Sequence, residues 1–177
     1  MGRGAVMDQY VRLAKNTIDL YIREGRVYKP SADELTEEMN TSRAGAFVSI
    51  HEQGELRGCI GTIEPVRRNL AEEIISNAIS ASTKDPRFEA VSEEELDQLE
   101  INVDVLTAPQ PISSQAELDV KKYGVIVEKG YRRGLLLPDL EGVDSVEYQV
   151  FIAKRKAGIG EHEKGVHLYR FEVIRHV

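Results

Sequence analysis

The sequence predicts an α+β fold with mainly antiparallel sheets. Apolar residues recur every three or four positions over 10–22 and 66–79, which marks amphipathic helices. Short runs rich in Val, Ile, Leu and Phe, bounded by glycine, proline or charged residues, mark strands, and four of these runs form two hairpins. Helices and hairpins are intermixed, without the regular strand-helix-strand alternation of a parallel sheet. At 177 residues, 41% hydrophobic and 30% charged, the chain is a globular protein of one domain with a sizeable core.

The first element is a helix over 7–24, with Tyr10, Val11, Ala14, Ile18, Tyr21 and Ile22 on one side and Gly25 placed to end it. Residues 31–40, SADELTEEMN, predict a short second helix with Ser31 as cap and Glu34 closing a capping box. The period then changes to that of strands over 46–51 and 56–62, joined by the turn residues 52–55. Pro65 suits the first turn of a long helix that carries Val66, Leu70, Ile74, Ile75, Ala78 and Ile79 and runs to about Ser82. Lys84 to Phe88 (KDPRF) breaks it, and Ser92 with Glu95 heads a short helix.

Leu99, Ile101, Val103 and Val105 alternate with polar residues in a half-buried strand that Pro109 and Pro111 end. Residues 107–119 read as a loop. Residues 123–128 and 133–137 form a second hairpin closed by Pro138. A helix follows at about 145–157, with Asp144 and Glu147 at capping-box spacing and Gly158 at its end, and 167–174 is a final strand. No internal repeat or low-complexity segment stands out.

A net charge of −7 argues against whole-molecule attraction to nucleic acid or an anionic membrane. Arg67-Arg68, Arg132-Arg133 and Lys154-Arg155-Lys156 are local basic clusters, read as solvated faces rather than ligand sites. One cysteine excludes an internal disulfide, and no apolar run is long enough to span a membrane. Met1 to Val6 reads as an irregular end and the opening residues as no secretory signal, so the cytoplasm is the expected location. There is no GxGxxG, no Walker loop, no HExxH and no Cys or His pair at ligand spacing, so no metal or cofactor is expected.

Chemistry centres on ELRGCIGTIEP, residues 55–65, which holds that cysteine. As a nucleophile Cys59 needs thiolate character, and Arg57, two residues away on the same strand face, is the candidate cation. Gly58 and Gly61 would admit the close approach of a ligand. As a packing residue, Cys59 is a small hydrophobe. With Gln53-Gly54 as a two-residue turn, Cys59 falls opposite Val48 in the core, and His51 falls opposite Leu56 on the other face. That register excludes a Cys59-His51 dyad, and a slip of one residue would reverse the faces. Asp85 before proline favours a turn through its own backbone bonds, and Arg87 favours an ion pair over a ligand.

Leu56-Arg57-Gly58-Cys59-Ile60-Gly61 resembles the LRGCIG signature of the AMMECR domain family. Asp85-Pro86-Arg87-Phe88 resembles that family's DPRF element, Gly134 to Pro138 its GLLLP strand and Lys156-Ala157-Gly158 its KAG helix end, over roughly residues 8–175. The resemblance implies a two-lobed domain, the smaller lobe within about 55–110, with Leu56, Arg57, Gly58, Ile60, Gly61, Asp85 and Arg87 lining an interlobe cleft beside Cys59. Prokaryotic members are similar to protein A of the AmmeMemoRadiSam system, which implies Memo-like and radical-SAM proteins as partners, with a large protein or nucleic acid as a further class of occupant. Many relatives carry tryptophan and a second cysteine near the last helix, where this chain has Lys154-Arg155. The expected function is a cleft-binding component of that system. The alternative is a Cys59-dependent enzyme of acyl or similar group transfer. A third reading gives the glycines and Cys59 a packing role alone.

Overall fold

The computed structural model describes residues 7–177; Met1–Val6, expected as an irregular end, lie outside the described residues. Two compact units divide the chain, one running to Val105 and taking back Arg175–Val177, the other spanning Leu106–Ile174. The shorter unit is therefore not a segment within about 55–110. Residues 55–105 instead supply two strands and a helix that pack with the N-terminal elements around one core.

In the first unit, Asp8 caps α1 (Gln9–Glu24) by accepting from Tyr10 N and Val11 N, and Gly25 ends it in the left-handed conformation. The single helix expected over 31–40 is split. A 3-10 turn at Ala32–Glu34 runs into extended Leu35, and α2 (Glu37–Thr41) starts afresh with Thr36 Oγ1 accepting from Met39 N at 3.2 Å. Ser31 makes no capping bond. β1 (Ala46–Glu52) and β2 (Glu55–Thr62) form the hairpin, turning at Gln53 and Gly54. α3 (Leu70–Thr83) begins at the Asn69 cap rather than at Pro65. The buried Glu73 carboxylate accepts from Val66 N and Arg67 N and so holds 65–69 as a loop. Ser92 and Glu95 form the expected capping box on a 3-10 turn, followed by β3 (Leu99–Leu106).

In the second unit the stretch expected as a loop contains β4 (Gln110–Ile112). Pro111 fits there because the strand lies at a sheet edge, where a missing N–H costs little. β5 (Gly124–Lys129) and β6 (Arg132–Leu136) are the second hairpin. α4 (Val146–Ala157) is capped by Ser145, whose Oγ accepts from Tyr148 N at 3.1 Å, so the cap is one residue later than Asp144. The last strand is broken into β7 (His167–Phe171) and β8 (Val173–His176) by Glu172, whose backbone N and O bond Thr107.

The first sheet has the order β2-β1-β3-β8 and the second β4-β7-β5-β6, each built on antiparallel pairing of a hairpin with a third strand. In the first unit α1 and α3 cover one sheet face, burying Ile18, Val48, Ile50, Leu70, Ile74 and Val103 completely. In the second unit α4 packs on β5 and β6 around Val125, Val127, Val150 and Ala153.

The two units repeat one plan that the sequence does not display. β1-β2-α3-β3 corresponds to β5-β6-α4-β7: a hairpin, a helix on one face, then a strand beside the first hairpin strand. Ile50 pairs with Gly58 in one and Val127 with Gly134 in the other, each two residues back from the last pair before the turn. A methyl group on Gly58 would run into the Ala81 carbonyl of α3, and one on Gly134 into the Ala153 carbonyl of α4. Glycine at this point lets helix and strand backbones touch. The first hairpin carries one extra residue, Arg57, in a β-bulge between the Ile50 and His51 pairs. No helix of the described residues is long and apolar enough to cross a membrane.

Candidate functional site

The bulge at Arg57 decides where Cys59 points. It moves the register by one beyond the expected two-residue-turn pairing, so Cys59 lies opposite Ser49 and not Val48. Cys59 therefore leaves the helix-covered face and joins the other, with Ser49, Phe47 and His51. Its half-buried sulfur lies 3.3 Å from Ser49 Oγ. Ser49 in turn pairs with Asn102 of β3, so Cys59, Ser49 and Asn102 form a polar row across three strands. His51 shares the face one row away, which removes the geometric exclusion that the simple register imposed. No hydrogen bond joins it to Cys59 among the described residues.

β2 is an edge strand, and the outward N–H and C=O of Cys59 are capped by side chains. Cys59 N donates to Asp85 Oδ2 at 3.0 Å, and Arg87 Nη2 donates to Cys59 O at 3.4 Å. Asp85 also accepts from Arg87 N, Nε and Nη2 at 3.0, 3.1 and 2.8 Å, combining the expected local turn with the expected ion pair. The Arg87 guanidinium holds the buried Asp85 carboxyl well below the usual carboxylate range.

Arg57 is not the activating cation. Its Nε and Nη2 bond the two oxygens of Glu95 at 2.8 and 3.1 Å, and its Nη1 and Nη2 donate to the carbonyls of Glu89 and Ala90. A bidentate acid partner uses up its fork. Glu95 also accepts from Ser92 N, so the capping box and the Arg57 anchor share one carboxylate. Arg57 holds the Glu95 carboxyl down to about 2, while Glu52, 3.8 Å from Arg57 Nε, is pushed up by the neighbouring Glu95.

Folding thus leaves Glu95 with fewer protons than the unfolded chain between the ordinary value of 4.5 and about 2. The stabilisation is complete above that window and disappears as pH falls through it. Arg57→Ala is expected to cost about 2 kcal/mol at pH 7 and distinctly less at pH 3 in urea unfolding. An equal cost at both pH values would deny the ion pair its role.

Of the residues expected to line a site, Cys59, Asp85 and Arg87 come into contact, and Arg57 is tied to the same 85–95 segment. Gly58 lies under α3, half-buried Ile60 packs against the core and Gly61 sits under the Phe47 ring, so each has close protein contacts of its own. Leu56 is 38% exposed at the hairpin end, opposite His51. Ser49, Asn102 and Glu95 join this constellation without any motif of their own to mark them. The alternation of β1 and β3 placed the first two on one face, but only the bulge brings Cys59 to it. Among the described residues no group of three or more His, Cys, Asp or Glu is placed to hold a metal.

A protein of Thermotoga maritima is 55% identical to this chain over 168 residues, covering 94% of this chain and 96% of that one. A protein of Clostridium acetobutylicum is 49% identical over 96% of this chain, which corresponds to 36% of its own length. The crystal structure of an uncharacterized protein from Pyrococcus horikoshii superposes with a TM-score of 0.78 at 32% identity, covering 94% of this chain and 88% of that one. The AMMECR1 family model matches residues 11–176, so the chain belongs to the AMMECR1 family.

Proposed function

We propose that this chain is the recognition component of a cytoplasmic multi-protein system whose other members are a Memo-like and a radical-SAM protein. In this reading the face bearing Cys59, Ser49 and Asn102, edged by Arg87, seats the partner. One observation carries it. At the equivalent positions of the repeated plan, the second unit has Leu135, Ile126 and Tyr169. The sheet therefore does not need a thiol, a hydroxyl and an amide there, and polar groups on a half-buried face cost desolvation unless something bonds them. Among the described residues the thiol bonds a hydroxyl and no base, and Arg57 is committed to Glu95, which favours binding over nucleophilic chemistry. The Clostridium relative supports the same reading, since it carries this domain in a chain almost three times as long.

Titration calorimetry of the full chain with the Memo-like and radical-SAM proteins of its own genome tests this. A complex is expected, and Ser49→Val with Asn102→Leu should weaken it by about tenfold or more while leaving the melting temperature unchanged or higher. Absence of any complex, or a double variant that binds as well as the parent, sinks the reading. Burst acylation of Cys59 by an activated ester, lost in His51→Ala, would turn the assignment to the cysteine enzyme, which the shared face of His51 and Cys59 alone favours.

A further inference from the structure

We infer that the groove between α3 and the segment following α1 binds a small amphipathic carboxylate, an apolar body with one anionic head. The groove has a volume of about 700 Å³ and lies wholly in the first unit. That volume is within the usual range for small-molecule sites, roughly 300–1,000 Å³. Its floor is Ile75 and Ile79, one turn apart on α3, and its far wall is Val27 and Leu35. Val27 is 49% exposed and both isoleucines are half-buried, so an apolar strip is left uncovered by the described residues.

The rim supplies the charge. Arg67 and Lys29 line the groove, and neither has a carboxylate partner among the described residues. Elsewhere the arginines are largely paired: Arg57 with Glu95, Arg68 with Glu72, Arg87 with Asp85, Arg132 with Glu163 and Arg175 with Asp104. The acid that lines the groove, Glu72, is taken up by Arg68, so Arg67 and Lys29 leave net positive charge beside the apolar strip in a chain of net charge −7.

Arg67 is also held in place. Its N–H donates to the buried Glu73 carboxylate at 2.8 Å, its carbonyl accepts from Arg43 Nε at 3.0 Å, and its Nη2 donates to Ser76 Oγ at 3.1 Å. A buried carboxylate spent on fixing the backbone of an exposed arginine builds a preorganised cation, and preorganisation reduces what a ligand loses on binding. The guanidinium keeps donors free for the planar, bidentate contact that a carboxylate makes. The basic pair Arg67-Arg68 is therefore divided in role: both line the groove, but Arg68 is paired with Glu72 there, and Arg67 is left to face a ligand.

The test is amide-resolved NMR of the full chain titrated with 4-phenylbutyrate and, separately, with 4-phenylbutan-1-ol, which keeps the apolar body and removes the charge. The acid is expected to bind about tenfold more tightly than the alcohol, with shifts concentrated at residues 27–40 and 67–79. Arg67→Ala should reduce the acid to the affinity of the alcohol with an unchanged melting curve, and Ile79→Ala should weaken both while the protein stays folded at the temperature of the titration. Equal affinities for acid and alcohol, shifts elsewhere, or no saturable shift at millimolar ligand would overturn the assignment. So would a groove that ignores both ligands and responds only to an acidic helical peptide.

Discussion

Gly58→Ala is expected to lower the unfolding free energy by about 3 kcal/mol, at the upper end of the usual cost of overpacking. For a chain of this length that corresponds to a fall in Tm of roughly 6–12 °C. The added methyl would meet the Ala81 backbone carbonyl, which can yield only if α3 moves off the sheet. A backbone obstacle in the interior has no rotamer to escape into. Gly54→Ala in the same hairpin is the control: its site is open, and its φ of 80° is the only difficulty, so about 1 kcal/mol is expected. Gly134→Ala should repeat the large loss in the second unit, against the Ala153 carbonyl. A Gly58→Ala protein that melts like the parent but fails to bind a partner would return the glycine to the role of ligand access.

Asp85→Ala is expected to cost about 2 kcal/mol at neutral pH, because a buried acceptor is removed while its partner Arg87, more than half exposed, is left to water. Four donors lose their acceptor at once: Cys59 N and Arg87 N, Nε and Nη2. Because the folded-state pKa of Asp85 is depressed, its contribution is present above the ordinary carboxylate value and is lost as pH falls through the depressed one. The stability gap between parent and variant should therefore be widest near pH 7 and close in strong acid, as followed by denaturant unfolding across pH. Unchanged stability with loss of partner binding would make Asp85 a recognition group rather than the cap of an edge strand.

Both experiments bear on why the signature residues are what they are. The LRGCIG and DPRF segments are distant in sequence yet form one structural unit, in which DPRF supplies the pairing that the β2 edge lacks. Cys59 and Asp85, 26 residues apart, are bridged by a 3.0 Å hydrogen bond. Arg57 adds the second tie, from the bulge to the carbonyls of Glu89 and Ala90.

Much of the local structure was legible in the sequence because its causes are local. The apolar period of 10–22, the Gly25 and Gly158 helix ends, the Gln53-Gly54 turn and the Ser92-Glu95 capping box each depend on residues within a few positions of one another. Where a side chain from farther away competed, the local reading failed. Glu73 took the backbone N–H groups of Val66 and Arg67 and delayed α3 to Leu70, and Glu172 was held by Thr107 so that one expected strand became two.

What the sequence determined by itself is the α+β class, the antiparallel hairpins, the Gln53-Gly54 turn and the helix ends at Gly25 and Gly158, since period and turn chemistry are properties of neighbours along the chain. The tertiary structure alone decided the face on which Cys59 stands, because a single bulged residue, Arg57, reverses every side chain beyond it, and that bulge is anchored by Glu95, 38 residues away. It likewise decided that Gly58 serves a helix and that Arg67 is held over an apolar groove, since both depend on backbone and side-chain contacts that exist only once α3 has packed.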